Sequence, residues 1–212
     1  MSVLTPKENI LNRIREALSN SVPLPFPESE GTDNIFTTSN EDLTVIFAEE
    51  FVKLQGNFSY YAEENELAQQ LKQLFSEKDW NKIYCAEDKL QHLLTANDIP
   101  SYNDLSLCDV SLTSCEYLVA RTGSIVLSSA PEMGRTASAY APVHICIAYT
   151  DQVVYDVKDA LLLLQEKYVT SLPSFISFAS GPSRTADIEK TLVTGVHGPK
   201  EVYCFLTDRN KI

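Results

Sequence analysis

Apolar positions recur with helical spacing in six stretches of this chain. In residues 6–20 they are Ile10, Leu11, Ile14, Ala17 and Leu18; in 40–56 they are Leu43, Ile46, Phe47 and Leu54, with Gly56 as the stop. In 63–77 they are Leu67, Leu71, Leu74 and Phe75, and residues 87–97, 156–169 and 184–193 read the same way. Steps of three and four residues put such side chains on one face of a helix. Between the helices lie short runs rich in β-branched and aromatic residues, at 57–62, 82–86, 109–120, 124–130, 141–150, 174–180 and 201–208, which read as strands. The runs 109–120 and 124–130 meet at Arg121-Thr122-Gly123, which suits a hairpin or tight strand turn. Strand–helix alternation with short links predicts an α/β fold: a mostly parallel sheet with helices on both faces, plus an antiparallel part. Pro23, Pro25 and Pro27 set the first helix apart. Residues 1–34 therefore read as an arm that docks on the body or on a second copy, and residues 35–212 as one α/β domain.

Charge narrows the choice of partners. The 212 residues carry a net charge of −12, which argues against nonspecific binding to nucleic acid or to an anionic membrane surface. The charge is unevenly spread: residues 1–108 hold 18 acids against 8 bases, and residues 109–212 hold 11 against 9. An anionic ligand finds its counter-charge in the second half. No apolar run approaches the roughly 18–20 residues of a membrane span, and the N-terminus does not read as a secretory signal, so a cytoplasmic protein is expected. The five cysteines, at 85, 108, 115, 146 and 204, include no Cys-x-x-Cys pair, so zinc and iron–sulfur spacings are absent. Cys85, Cys146 and Cys204 sit in apolar strand-like runs and read as buried thiols; Cys115 lies near the candidate site.

Three of the seven glycines fall in one stretch, Ser180–Pro199, SGPSRTADIEKTLVTGVHGP. Here a strand ends, Gly181-Pro182 turns, and a helix is expected from Ser183, with Ser183 as N-cap and Asp187 in its first turn. Capping alone accounts for this pattern. A helix N-terminus with Arg184 and Thr185 beside it also presents donors to an anion, and spacing alone leaves the two readings balanced. Gly195 would close the helix, and Gly198-Pro199 would turn. His197, between those glycines, is by residue type a candidate acid or base; His144 reads as a core or strand-end histidine and His92 as exposed. A second dense region holds Glu116, Thr122, Gly123 and Ser124, followed by Gly134 and Arg135. Arg121, Arg135 and Arg184 each accompany a glycine-containing turn, and arginine's fork suits carboxylate or phosphate. No nucleotide-binding glycine motif and no metal-ligand spacing occurs.

These segments carry a resemblance. TGSIVLSS, the following arginine, APVHICIA and SGPSRTADIEKTLVTGVHGP together resemble the LUD domain of the lactate utilisation protein C family, over roughly Leu112–Leu206. The N-terminal helix and its proline-rich link also fit. The resemblance implies a Rossmann-like fold of the kind shared by CoA transferases, ribose-phosphate isomerases and glucosamine-phosphate deaminases. It implies a part in oxidising L-lactate to pyruvate beside partner proteins that carry the iron–sulfur clusters, with no cofactor in this chain. Where the family usually has an acid before Thr-Gly-Thr, this chain has Arg121, and Ser124 replaces the second threonine. The expected ligand-binding residues are Arg121, Thr122, Gly123, Ser124, Arg135, Gly181, Ser183, Arg184, Thr185, Asp187 and Gly198. Glu116 and His197 are the candidate catalytic residues. Two other readings stand beside this one: a free-standing enzyme acting on a sugar phosphate or CoA thioester, and an interaction subunit without chemistry.

Overall fold

The computed structural model describes residues 5–19, 41–129, 136–186, 192–195 and 197–209. In chain order the elements are α1 (Pro6–Ser19), α2 (Leu43–Lys53), β1 (Asn57–Tyr61), α3 (Glu64–Glu77), β2 (Ile83–Cys85), α4 (Asp88–Ala96), β3 (Ser101–Tyr102), β4 (Val110–Thr113), β5 (Tyr117–Val119), β6 (Ser124–Ser128), α5 (Ala137–Tyr140), β7 (Val143–Tyr149), β8 (Val153–Val154), α6 (Val157–Lys167), β9 (Ile176–Ala179), β10 (Arg184–Ala186), β11 (Leu192–Thr194) and β12 (Glu201–Thr207). The chain divides into two units, Met1–Ser39 and Asn40–Ile212. The first contains α1, whose Ile10, Leu11 and Ile14 are exposed.

In the second unit six strands form a parallel sheet in the order β1-β12-β7-β4-β2-β3. Alternation of side chains gives each face its own core. Val110, Leu112, Ile145, Ile147, Tyr203 and Phe205 face one way, with Leu67, Leu71 and Phe75 of α3 and Leu90 and Leu94 of α4. Cys146, Ala148, Val202, Cys204 and Leu206 face the other way. They meet Phe47 and Phe51 of α2 and Leu118, Ile125 and Leu127 of a second sheet, ordered β8-β5-β6-β9. That sheet is mixed: β5–β8 is parallel, whereas β5–β6 and β6–β9 are antiparallel. Its outer face is covered by Ala160 and Leu164 of α6. The expected α/β architecture, parallel sheet plus antiparallel part, is what forms.

Local sequence explains the helix ends. Asp42 caps α2, accepting the Thr44 N–H at 2.8 Å. The helix then closes in a Schellman motif, with Gly56 N–H donating to the Phe51 carbonyl at 3.0 Å and Gln55 N–H to Val52 at 2.9 Å. The left-handed residue is Gln55, at φ 66°, and not the Gly56 expected as the stop. Gly56 instead lies against the Phe51 ring, where a side chain would collide. α3 and α4 end the same way on Asp79 and Asp98, each left-handed, with Trp80 N–H donating to Phe75 and Ile99 N–H to Leu94.

Two expected elements differ. The run 109–120 is two strands in different sheets. The chain leaves the parallel sheet after Thr113, where the buried Glu87 carboxylate accepts the Ser114 N–H at 2.7 Å. It enters the mixed sheet at Tyr117. The helix expected over 184–193 is replaced by the antiparallel pair β10–β11, in register Arg184↔Thr194, Thr185↔Val193 and Ala186↔Leu192. Ten residues are marginal for an isolated helix, and threonine and valine favour the extended form. The ladder continues outward, with Gly195 N–H donating to the Ser183 carbonyl at 2.9 Å. Ser183 is therefore not a helix N-cap, and Gly195, at φ 79°, follows a strand and not a helix.

Candidate functional site

The two glycine-bearing regions singled out in the sequence converge at the C-terminus of α2. After β5, a single 3-10 turn (Ala120–Thr122) leads into Gly123, which adopts φ 55°. A Cβ at Gly123 would lie 2.6 Å from the Phe51 nitrogen and 2.7 Å from the Glu50 carbonyl carbon, so only glycine lets this turn lie on the helix backbone. Gly181, at φ 85°, likewise abuts the Leu54 carbonyl. Hydroxyls link the two turns: Thr122 Oγ1 and Ser124 Oγ are 2.8 Å apart, and Ser124 Oγ and Ser180 Oγ are 2.7 Å apart.

The third turn closes on the second. Ser183 N–H donates to the Pro199 carbonyl at 2.9 Å, and a Cβ on Gly198 would lie 2.9 Å from the Ser183 Cβ. The exposed Arg184 donates from Nη2 to the Leu54 carbonyl at 2.6 Å, capping α2. Its Nε and Nη1 groups have no hydrogen-bond partner among the described residues. Lys200, exposed, lies against Gly195, and His197 between the glycines is exposed. The result is a surface of three turns carrying Ser183, Arg184, His197 and Lys200. It lies where β12 begins, and β12 starts level with β7 (Glu201↔Val143). This is the amino end of the parallel sheet, whereas the ligand crevice of an open α/β sheet usually opens at the carboxyl ends.

Arg121 takes its anion from within the chain. Its Nε and Nη2 donate to the two Asp156 oxygens at 3.0 and 2.9 Å, tying the 3-10 turn to the start of α6. The paired guanidinium holds the Asp156 carboxyl below its ordinary range. The backbone of Thr185 lies in β10, and Arg135 and Asp187 lie outside the described residues.

Glu116 sits elsewhere. β6 runs from Ser124, at the glycine turns, to Ser128, which donates to Glu116 Oε1 at 2.5 Å. Four strand steps, roughly 13 Å, separate those ends. Tyr168 OH donates to the same Glu116 oxygen and Lys167 Nζ to the other, both at 2.8 Å. The Glu116 side chain has no solvent exposure, whereas Lys167 is about half exposed. Burial pushes the Glu116 pKa up, but the Lys167, Ser128 and Tyr168 donors outweigh it and leave the group below its usual value. Glu116 and His197 are therefore not brought together.

His144 and the cysteines are internal. His144 Nε2 is 2.8 Å from Thr113 Oγ1, Nδ1 has no hydrogen-bond partner among the described residues, and burial pushes its pKa down to about 4. All five cysteines are free and buried; the Cys115 thiol, hydrogen-bonded to the Cys146 thiol and enclosed, is pushed well above its ordinary value. Among the described residues no group of three or more His, Cys, Asp or Glu side chains could hold a metal ion, and no helix is long and apolar enough to cross a membrane. Residue types alone did not point to Ser180, the Leu54 carbonyl or Lys200. Lys200 follows the Gly198-Pro199 turn directly, and Ser180 precedes Gly181, so proximity to those turns was the available signal.

The structure is an α/β domain of parallel and mixed sheets, with polar turns gathered at the end of α2. Residues 45–207 match the LUD domain, and the chain belongs to that family. It is 36% identical over 102 residues to lactate utilization protein C of Anoxybacillus flavithermus, covering 48% of this chain and 45% of that protein. It is 35% identical over 104 residues to lactate utilization protein C of Bacillus subtilis, covering 48% and 43%. The chain thus spans about half the length of the curated relatives it matches. A crystal structure of a DUF162 family protein from Deinococcus radiodurans has the same fold, with TM-score 0.60, 19% identity, and 81% of this chain and 99% of that chain covered.

Proposed function

We propose that this chain is the component without iron–sulfur clusters of a system that oxidises L-lactate to pyruvate, and that its three-turn surface binds a small carboxylate or phosphate. The observation that carries the reading is the convergence of Thr122-Gly123-Ser124, Ser180–Arg184 and Gly195–Lys200 at one helix end. Gly123 and Gly181 let two turns pack on the end of α2, and Arg184 and Lys200 supply positive charge beside them, which is the chemistry an anion needs. Likeness to lactate utilization proteins supplies the substrate class. In this reading the redox centres belong to iron–sulfur partner proteins, and the work is cytoplasmic. In this reading His197, exposed beside Gly198, exchanges a proton with the bound hydroxy acid.

Deletion of the gene should abolish growth on L-lactate and spare growth on pyruvate. Complementation by the wild type should restore it, whereas Arg184→Gln with Lys200→Gln should not. Unimpaired growth of the deletion strain on L-lactate, with no second copy in the genome, would sink the proposal.

A further inference from the structure

The edge strand β1 carries an inference beyond the anion-binding surface. Among the described residues β1 pairs on one side only, with β12. Exposed edges usually carry lysine, proline or a bulge that discourages pairing, and Asn57-Phe58-Ser59-Tyr60-Tyr61 has no lysine or proline. Val45 and Val52 of α2 and Tyr60 of β1 stand along the edge at 51%, 55% and 47% exposure.

A cavity opens on each face of this strand. On the α3 side one of about 420 Å³ is bordered by Asn57, Ser59 and Tyr61 of β1 and by Gln70, Gln73 and Glu77 of α3, and is floored by Tyr203 and Phe205. On the α2 side one of about 730 Å³ is bordered by Phe58 and Tyr60. A strand laid along β1 sends successive side chains to opposite faces, so its alternate residues would enter one cavity and then the other.

Charge selects the occupant. Asp42, Glu49 and Asp208 line the α2-side cavity and no basic residue does; the ion pairs among the described residues include none of the three, and Lys53 of the same helix is the cation near Glu49. Asp208 accepts hydrogen bonds from Tyr60 OH and Thr150 Oγ1, both at 2.9 Å, and Asp42 accepts from the Thr44 N–H of its own helix N-terminus at 2.8 Å. Antiparallel pairing of β1 with a second copy would set both sets of carboxylates on the same face, side by side. We infer that the β1 edge receives an extended segment of a partner protein whose alternate side chains are cationic, directed to Asp42, Glu49 and Asp208, with uncharged side chains between them over Tyr203 and Phe205 on the opposite face.

The test uses the full chain and three labelled octapeptides: arginine alternating with valine, glutamate alternating with valine, and the arginine composition in two blocks. Fluorescence anisotropy reads affinity, and hydrogen exchange reads the amides of 57–61. The alternating arginine peptide should bind most tightly and slow exchange in β1. The Asp42→Asn, Glu49→Gln, Asp208→Asn triple variant, which keeps an acceptor at each position, should weaken it about tenfold, the scale of three exposed charge pairs. No binding at millimolar peptide, equal binding of all three peptides, unchanged affinity in the triple variant, or β1 protection that grows with protein concentration in the absence of peptide would each overturn the inference.

Discussion

The two ends of β6 are both polar, and they are polar in different ways. At the Ser128 end a buried carboxylate meets three donors, from Ser128, Lys167 and Tyr168, so Glu116 is enclosed and satisfied within the chain. At the Ser124 end the buried Ser124 hydroxyl is tied to Thr122 and to exposed Ser180, and further polar groups lie outside it. Hydroxyls and glycines pack on the end of α2, and Arg184, His197 and Lys200 are exposed around them. A closed network of this kind stabilises a fold; an open one can take a ligand. A carboxylate with depressed pKa is a poor guide to a site unless its access is known as well.

Substitution or pH can perturb either end. The largest effect is expected at the open end's foundation. Gly123→Ala forces a Cβ into the α2 backbone at a left-handed φ, and urea unfolding should show a loss on the order of 4 kcal/mol. Next comes acid. Burial keeps folded His144 at about 4, below its ordinary 6.5. The unfolded chain therefore takes up a proton between pH 6.5 and 4 that the folded protein does not. Stability should fall through that window by about 3 kcal/mol and show no further loss from this group below it. Unfolding midpoints measured from pH 7.5 to 4 check the slope. The Glu116 contribution, from a depressed folded pKa, is fully present above about 4.5 and is lost only as pH falls further, so the two groups separate along the pH axis.

Glu116→Gln should cost about 2 kcal/mol in the same unfolding assay, because half-exposed Lys167 can turn to water once its partner is neutral. The smallest effect has the opposite sign. Gln55→Gly places the permissive residue at the left-handed end of α2 and should raise stability by about 0.5–1 kcal/mol, read as a higher Tm.

Much of the fold was legible in the sequence because it depends on local periodicity. The stripes Leu67-Leu71-Phe75 of α3 and Ala160-Leu164 of α6 are core-facing as their spacing requires. The failure at 184–193 has a physical reason: the β10–β11 ladder is held by pairing between its arms, which a reading of single-helix spacing does not see. The candidate site was legible to the same degree. Glycine turns marked where backbone comes close, and they do converge. What each arginine meets depends on residues far along the chain: Asp156 lies 35 positions from Arg121, and Leu54 lies 130 positions from Arg184. Lys167, 51 positions from Glu116, is likewise what makes that carboxylate structural in place and not open to substrate.

The most direct measurement is a calorimetric titration of the purified chain with L-lactate, pyruvate and inorganic phosphate, comparing wild type, Arg184→Gln, Lys200→Gln and Glu116→Gln under conditions where each is folded. At least one of these anions should bind the wild type. Either cation variant should weaken it about tenfold, the scale of one charge-assisted hydrogen bond, while Glu116→Gln leaves the affinity unchanged. Loss of binding in Glu116→Gln with full affinity in both cation variants would contradict the account.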